Sequence, residues 1–309
     1  MRKFSFLIIF VMLFTAILSS CAKDTSEDTE SGFATAAERL EAVEKFYAEN
    51  GLVNWQDIAA VYLMQKNIAD FQYAEALQKN ESYEDKCGMV IAISLLIKQK
   101  VDVSSYNIDG YVTMIKNNVE SNYESMTIKQ IALSVYALVA SDTDYDFEAA
   151  AENILSRQNK DGGFPASKDI KISDTESSAY VLNVIMLNRE LFPDECYNKV
   201  VTYLGTVISV DNTISDINGK KSARATALVL NALISARLPL DGQVSTSMSA
   251  AMDLFFRLPN GGYKKYLDDK NIDRETNGEV MLCLAATGYG NLWTKLQSEN
   301  AKDVSDVSE

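Results

Sequence analysis

Six apolar segments of the chain are hydrophobic on nearly every side, and this property limits the fold more than any other feature. GMVIAISLLI and ATALVLNALI, for example, have no broad polar face to offer to solvent. A helix of this composition must be enclosed by other elements. The six segments are 58–64, 88–97, 131–140, 179–187, 225–234 and 279–286.

The segments between them carry a single apolar stripe. In 38–49, for example, Leu40, Val43, Phe46 and Tyr47 fall on one helical face. Six enclosed helices that alternate with six one-sided helices predict an all-α domain, in which about six inner helices are ringed by about six outer helices. The other one-sided candidates are 67–79, 106–119, 146–157, 195–208 and 245–257.

The chain also repeats itself at a distance of about two helix pairs. A shift of 99 residues aligns two copies of one pattern without a gap. Such a period predicts an array of similar helical units. The aligned pairs are Gly162 and Gly261, Gly163 and Gly262, Phe164 and Tyr263, Asp174 and Asp273, and Glu176 and Glu275.

The first copy contains QNKDGGF, which resembles the Q-x-x-D-G-G-F/W repeat of the terpenoid cyclase and protein prenyltransferase superfamily. The fold of that superfamily is the α/α toroid, so the resemblance implies this fold over most of the chain. Paired glycines can adopt positive φ and end an outer helix, which predicts a structural corner. In the family the glutamine braces the next helix. The predicted corner residues are Gln158, Asp161, Gly162, Gly163 and Phe164, with Gly261, Gly262 and Tyr263 in the second copy.

The start of the chain has the pattern of an export signal, because Arg2 and Lys3 precede a short apolar core. The following LSSC resembles the lipobox of bacterial lipoproteins, which implies lipid attachment at Cys21. We therefore predict a protein anchored to the extracytoplasmic face of the cell membrane, with an ordinary signal peptide as the alternative. The predicted parts are a lipoprotein signal peptide (1–20), an acidic tether (21–33), the α/α toroid domain (34–297) and a disordered tail (298–309).

Composition excludes several kinds of chemistry. The chain has no histidine, so Ser-His-Asp and Cys-His catalysis and histidine zinc sites are absent. A net charge of −14 without a basic run argues against nucleic acid as a partner. We predict no metal and no cofactor. For Cys87, Cys196 and Cys283, buried free thiols are favoured over a Cys87–Cys283 disulfide.

Polar residues precede or enter each enclosed helix, and parallel inner helices would gather them at one mouth of the ring. The helix dipoles, together with Arg224 and Arg274, suit an anionic or strongly polar ligand. The competing interpretation makes Asp174 and Asp273 helix N-caps and places Trp55 and Tyr180 in the core. The candidate ligand-binding residues are Trp55, Asp57, Gln130, Asp174, Glu176, Arg224, Asp273, Arg274 and Glu275.

These features favour a binding protein without the family's catalytic motifs, whose ligand is a small molecule, a glycan or a peptide. One alternative is a polysaccharide lyase or glycosidase on the same scaffold. A further alternative is a cobalamin-carrier-like binding module, because the cobalamin carriers contain a domain that resembles the predicted toroid. Another alternative is a scaffold that contacts other proteins through its outer face. The acids available to an enzyme are Asp57, Asp85, Asp174, Glu176, Asp273 and Glu275.

Overall fold

The computed structural model describes residues 34–78, 82–237 and 242–306. The predicted signal peptide, Cys21 and the acidic tether lie outside the described residues. No helix within the described ranges combines the length and the hydropathy needed to cross a membrane.

Most of the described chain is helical, which confirms the all-α prediction. A single hairpin pairs β1 (Ile214–Ser215) antiparallel with β2 (Lys221–Ser222) in the described residues. Short 3-10 helices occur at Ile68–Asp70, Glu75–Leu77, Tyr123–Ser125 and Arg189–Leu191. The α-helices of the described residues are α1 (Ala36–Asn50), α2 (Trp55–Leu63), α3 (Tyr83–Lys98), α4 (Asp109–Ser121), α5 (Ile128–Ala140), α6 (Glu148–Ser156), α7 (Thr175–Leu187), α8 (Asp194–Thr206), α9 (Ala223–Ser235), α10 (Gly242–Phe256), α11 (Arg274–Tyr289) and α12 (Leu292–Asp306).

Six helices are buried on nearly all sides, and they cover the six segments that were predicted to be enclosed. We name α2, α3, α5, α7, α9 and α11 the inner helices. Their contacts form a closed circuit, in which α2 packs on α3, α3 on α5, α5 on α7, α7 on α9, α9 on α11, and α11 on α2. Each inner helix therefore has two inner neighbours, which explains why its apolar residues extend around the helix.

The outer helices bury one face each. In α1 the buried apolar residues are Val43, Phe46 and Tyr47, and in α6 they include Ala150 and Ile154. Helix α1 packs on α11, α4 on α5, α8 on α7, and α10 on α9. The one-sided stripes in the sequence thus correspond to helices that face an inner helix on one side.

The predicted outer helix at 67–79 is not an α-helix. Two 3-10 helices stand in its place, Ile68–Asp70 and Glu75–Leu77. The backbone of this segment bonds to other parts of the protein, since Leu52 N donates to Gln72 O and Ile68 N donates to Gln99 Oε1. These bonds compete with the i→i−4 hydrogen bonds that an α-helix needs.

The predicted disordered tail also differs from the structure, because α12 continues to Asp306. This helix lies across the C-terminal ends of four inner helices and satisfies polar groups there, including carbonyls that a helix end leaves without partners. These ends therefore face one side of the domain. The bonds join Tyr62 Oη to Glu299 Oε2 (3.1 Å), Lys98 Nζ to Asn300 Oδ1 (2.8 Å), Asn300 Nδ2 to Val139 O (2.9 Å) and Gln297 Nε2 to Leu187 O (2.7 Å).

The first glycine pair forms a structural corner between α6 and α7. Gly162 has a φ of +93°, and a Cβ at this position would lie 2.5 Å from the carbonyl oxygen of Lys199 in α8. Only glycine meets both conditions. Asp161 Oδ1 accepts a hydrogen bond from Gly163 N at 3.0 Å, which closes the turn.

The second corner repeats this geometry 99 residues later. Gly261 has a φ of +86°. Asp174 N donates to Phe164 O at 2.8 Å, and the matching Asp273 N donates to Tyr263 O at 3.2 Å. Residues that align between the two copies in the sequence therefore make the same backbone hydrogen bond in the structure.

Candidate functional site

The N-terminal ends of the inner helices bring charged side chains together. Each inner helix begins after a polar residue whose side chain accepts a hydrogen bond from a backbone N–H of the first turn, which fixes where the helix starts. Lys129 of α5, Glu176 of α7, Arg224 of α9, and Glu275 and Glu279 of α11 form the group that we name the mouth cluster. The N-cap residues are Asn54, Ser82, Thr127, Asp174, Ser222 and Asp273.

Arg224 is the central residue of the mouth cluster. Its Nη1 donates to Glu275 Oε2 at 2.9 Å, and its Nε lies 3.5 Å from Glu176 Oε2. The side chain is only 9% exposed, and the buried Nε–H makes no hydrogen bond within the described residues. A buried guanidinium nitrogen without a hydrogen bond is costly, and the nearby Glu176 carboxylate offsets part of this cost electrostatically.

The rim of the cluster is open to solvent. Lys129 Nζ lies 2.7 Å from Glu275 Oε1, and these side chains are 33% and 45% exposed. Burial works against ionisation of Glu275, but Arg224 and Lys129 outweigh it and hold the pKa of that carboxyl below its usual value. Glu275 is therefore ionised at neutral pH.

Glu279 lies one helical turn deeper and is almost fully buried. It accepts one long hydrogen bond from Gln56 Nε2 at 3.3 Å and another from Tyr180 Oη at 3.5 Å. Burial raises the pKa of Glu279, and it also raises the pKa of Glu176, although Arg224 opposes both shifts. The cluster thus combines a carboxylate of lowered pKa with two of raised pKa.

Aromatic side chains fill the centre of the circuit. Tyr136 stacks on Trp293 with ring centroids 4.2 Å apart, and Tyr180 lies 6.4 Å from Tyr136. Tyr136, Tyr180 and Trp293 are buried, whereas Trp55 is half-buried and lies 5.9 Å from Trp293. The centre of the circuit is therefore packed with aromatic rings, and of these four rings that of Trp55 alone is partly exposed.

Three of the predicted site residues meet in the cluster, namely Glu176, Arg224 and Glu275. The other predicted residues have different direct partners, and Trp55 packs beside Trp293. Asp57 is buried beside Tyr47 of α1, whose hydroxyl donates to its Oδ1 at 3.0 Å. In their own helices, Gln130 forms a capping box with Thr127, and Asp174 and Asp273 are N-caps. Arg274 pairs with Glu75 on the surface.

The sequence analysis missed Lys129, Glu279 and Gln56. Glu279 gave a readable signal, because it is an ionisable residue at the start of the apolar run EVMLCLAA, and such residues are rarely buried without a partner. It also follows Glu275 by four residues, which places both on one face of α11. Gln56 and Lys129 lie in the polar segments 54–57 and 127–130 that enter the enclosed helices, but neither was among the candidate residues.

The described residues contain no group of three or more Cys, Asp or Glu side chains with the geometry to hold a metal ion. Cys87, Cys196 and Cys283 are buried free thiols. No protein-family model matches the sequence, and a search of curated proteins gives no significant match. The arrangement of the mouth cluster is therefore the main guide to function.

The buried Glu279 predicts a pH-dependent stability difference. Because its folded-state pKa is raised, its contribution is favourable at low pH and is lost as pH rises from the ordinary glutamate value towards the folded value. We expect Glu279→Gln to be more stable than the unmodified protein at pH 7, with the difference shrinking towards about pH 4.5. Urea denaturation across this pH range measures it.

Glu152→Gln is the matched control, since Glu152 is exposed on α6. We expect this variant to follow the unmodified protein at every pH. A Glu279→Gln variant that loses stability at pH 7 and gains it at pH 4.5 would contradict the assignment of a desolvated carboxyl.

Proposed function

We propose that this protein is an α/α toroid of the extracytoplasmic membrane surface that binds a small polar ligand, a sugar unit of a glycan, at the mouth cluster. The observation that carries the proposal is the convergence of charged side chains from four inner helices around one buried guanidinium. The closed circuit of inner-helix contacts supports the toroid. The LSSC segment and the basic residues before it support the lipid anchor at Cys21.

Charge balance favours a neutral, hydroxyl-bearing ligand. Glu176, Glu275 and Glu279 would repel an anion, while Arg224 and Lys129 would repel a cation. Hydroxyl groups can donate to the carboxylates and accept from the guanidinium and ammonium groups. The half-buried ring of Trp55, at the start of α2, offers an apolar face of the kind on which a sugar ring stacks.

A thermal-shift screen of the full chain in detergent against mono- and oligosaccharides tests the proposal. We expect at least one saccharide to raise the melting temperature. Arg224→Lys keeps the charge but loses the planar fork, and Glu176→Gln removes an acceptor charge, so each should weaken binding by about tenfold or more. Glu152→Gln should bind normally, and hits that survive both mouth substitutions would place the site elsewhere.

A second candidate function is cleavage of a glycosidic bond. Glu176 and Glu275 contact the same guanidinium, which is compatible with the carboxylate separation of roughly 5–10 Å that glycosidases use. Their pKa values are shifted in opposite directions, as an acid and a base require. Release of reducing sugar from a bound oligosaccharide, abolished in Glu176→Gln, would support this function. If the protein binds an oligosaccharide without releasing reducing sugar, it is a binding protein and the proposed cleavage is ruled out.

A further inference from the structure

Three loops lead from a corner to the inner helix that follows it. Two of them follow the first and the second corner, and one follows a corner of the same shape between α8 and α9. In this intermediate corner Ser209 N donates to Thr213 O at 3.0 Å, and Asn212 has a φ of +60°. We name these segments the corner loops, and they cover 165–173, 215–221 and 264–272.

The corner loops lie beside the mouth cluster. Each loop ends directly before the N-cap of α7, α9 or α11, and a residue of the mouth cluster follows that N-cap by two positions. Two of the loops are joined by Tyr266 Oη, which donates to Asp216 Oδ2 at 2.8 Å. The loop after the first corner reaches the start of α5, where Ile128 N donates to Ala166 O at 3.2 Å. The corner loops therefore extend along the rim of the mouth from α5 to α11.

The corner loops expose apolar side chains to solvent. Four of the eight large apolar side chains that are exposed in the described residues lie here, although the loops make up less than a tenth of the chain. Single exposed apolar residues are common, but their concentration on neighbouring loops at one side of a domain indicates a contact surface. The four residues are Ile170 (37% exposed), Ile172 (70%), Ile217 (44%) and Leu267 (41%).

The same loops are basic, although the chain as a whole has a net charge of −14. They contain seven lysines and four aspartates. Of these lysines only Lys221 forms an ion pair within the described residues, whereas Asp216 and Asp269 accept hydrogen bonds from Tyr266. Two carboxylates of the mouth cluster are paired with its own cations, and charges further away are screened over about 10 Å at 0.1 M salt. The corner loops therefore combine exposed apolar side chains with cations that have no carboxylate partner.

We propose that the corner loops bind the surface of an anionic lipid bilayer, so that the mouth cluster opens towards the membrane. Isoleucine and leucine side chains enter the apolar edge of a bilayer, while lysine ammonium groups stay at the lipid phosphates. Burial of apolar area and attraction to anionic lipids add in this kind of binding. Lysine is depleted in protein–protein interfaces, so a bilayer suits these loops better than a protein partner does. This contact is separate from saccharide binding at the mouth cluster and does not require it.

Quenching of an added tryptophan by brominated lipids tests the proposal, because bromine quenches this fluorophore only at close approach. Leu267→Trp places the reporter on a corner loop of the full chain, and Ile97→Trp is the matched control. Ile97 is 53% exposed and lies at the opposite side of the domain, next to Lys98, which bonds to α12. We expect Leu267→Trp to lose most of its added fluorescence on brominated phosphatidylglycerol vesicles and little on brominated phosphatidylcholine vesicles. Ile97→Trp should lose little on either.

A second pair of variants tests the lysines. Lys220→Gln combined with Lys265→Gln, both made in the Leu267→Trp protein, should raise the phosphatidylglycerol fraction needed for half-maximal quenching by about twofold or more. Lys45→Gln, at a 77% exposed position on α1, should leave that fraction unchanged. Equal quenching at positions 267 and 97, or quenching that phosphatidylglycerol does not increase, would overturn the bilayer contact and favour a protein partner. Neither measurement involves a saccharide, so failure here is distinct from failure of the mouth cluster to bind one.

Discussion

Replacing Trp293 with alanine is expected to lower the free energy of unfolding by about 3–5 kcal/mol. Trp293 is the largest fully buried side chain of the described residues and stacks on Tyr136 with the ring planes 7° apart. It also lies against Trp55 of α2, so one side chain from α12 fills space between inner helices. Its removal leaves a cavity that these rigid neighbours cannot close.

Urea denaturation measures this loss, and Trp293→Phe is the conservative control. A phenyl ring keeps the stack on Tyr136, so we expect the control to lose much less stability. The chain has only two tryptophans, so Trp55 remains as the fluorescence reporter in both variants. A loss below about 1 kcal/mol for the alanine variant would show that α12 does not contribute to the core as described.

Gly162→Ala is expected to destabilise the protein by about 3 kcal/mol or more. Two costs add in this variant, because a φ of +93° is strained for any residue with a Cβ, and the new methyl group would overlap the backbone oxygen of Lys199. The overlapped atom belongs to α8, so relief requires a shift of a whole outer helix. Thermal or urea denaturation gives the value.

Gly110→Ala is the matched glycine control. Gly110 lies in the first turn of α4, and a Cβ there would meet nothing within 4 Å. We expect this control to be neutral or slightly stabilising, since alanine favours a helix. Similar losses for the two glycine variants would contradict the role assigned to the first corner.

The prediction of the fold from the sequence depended on two features, the apolar pattern of the helices and the glycine pairs of the corners. The enclosed segments could be identified because a helix with apolar residues all round has no stable exposed state. The 99-residue repeat could be identified because Gly162 and Gly261 need the same positive φ. Each of these signals lies within a short stretch of sequence.

The departures from the prediction arise from contacts between distant segments. The segment 67–79 has an apolar stripe, but its backbone bonds to Leu52 and Gln99 instead of forming an α-helix. The residues after 297 are mostly polar, yet Glu299 and Asn300 form part of α12 because the ends of the inner helices supply partners. Neither pairing can be read from the local sequence.

The sequence predicted that polar residues would gather at the N-terminal ends of the inner helices. It predicted only some of the residues that form the mouth cluster. Asp174 and Asp273 were expected at helix starts, and N-capping holds their side chains to their own helices. The first-turn acids Glu176 and Glu275 are not N-caps, and their side chains contact Arg224. In both helices the capping aspartate and the glutamate that contacts Arg224 are only two positions apart. The helix geometry is needed to tell which of the two carboxylates points towards the cluster.

Calorimetric titration of saccharides into the full chain, with Arg224→Lys beside the unmodified protein, tests the central claim most directly. The mouth cluster predicts that at least one saccharide binds the unmodified protein and that Arg224→Lys weakens this binding by about tenfold or more. Equal affinity in the two proteins, or no binding by either, would contradict the claim.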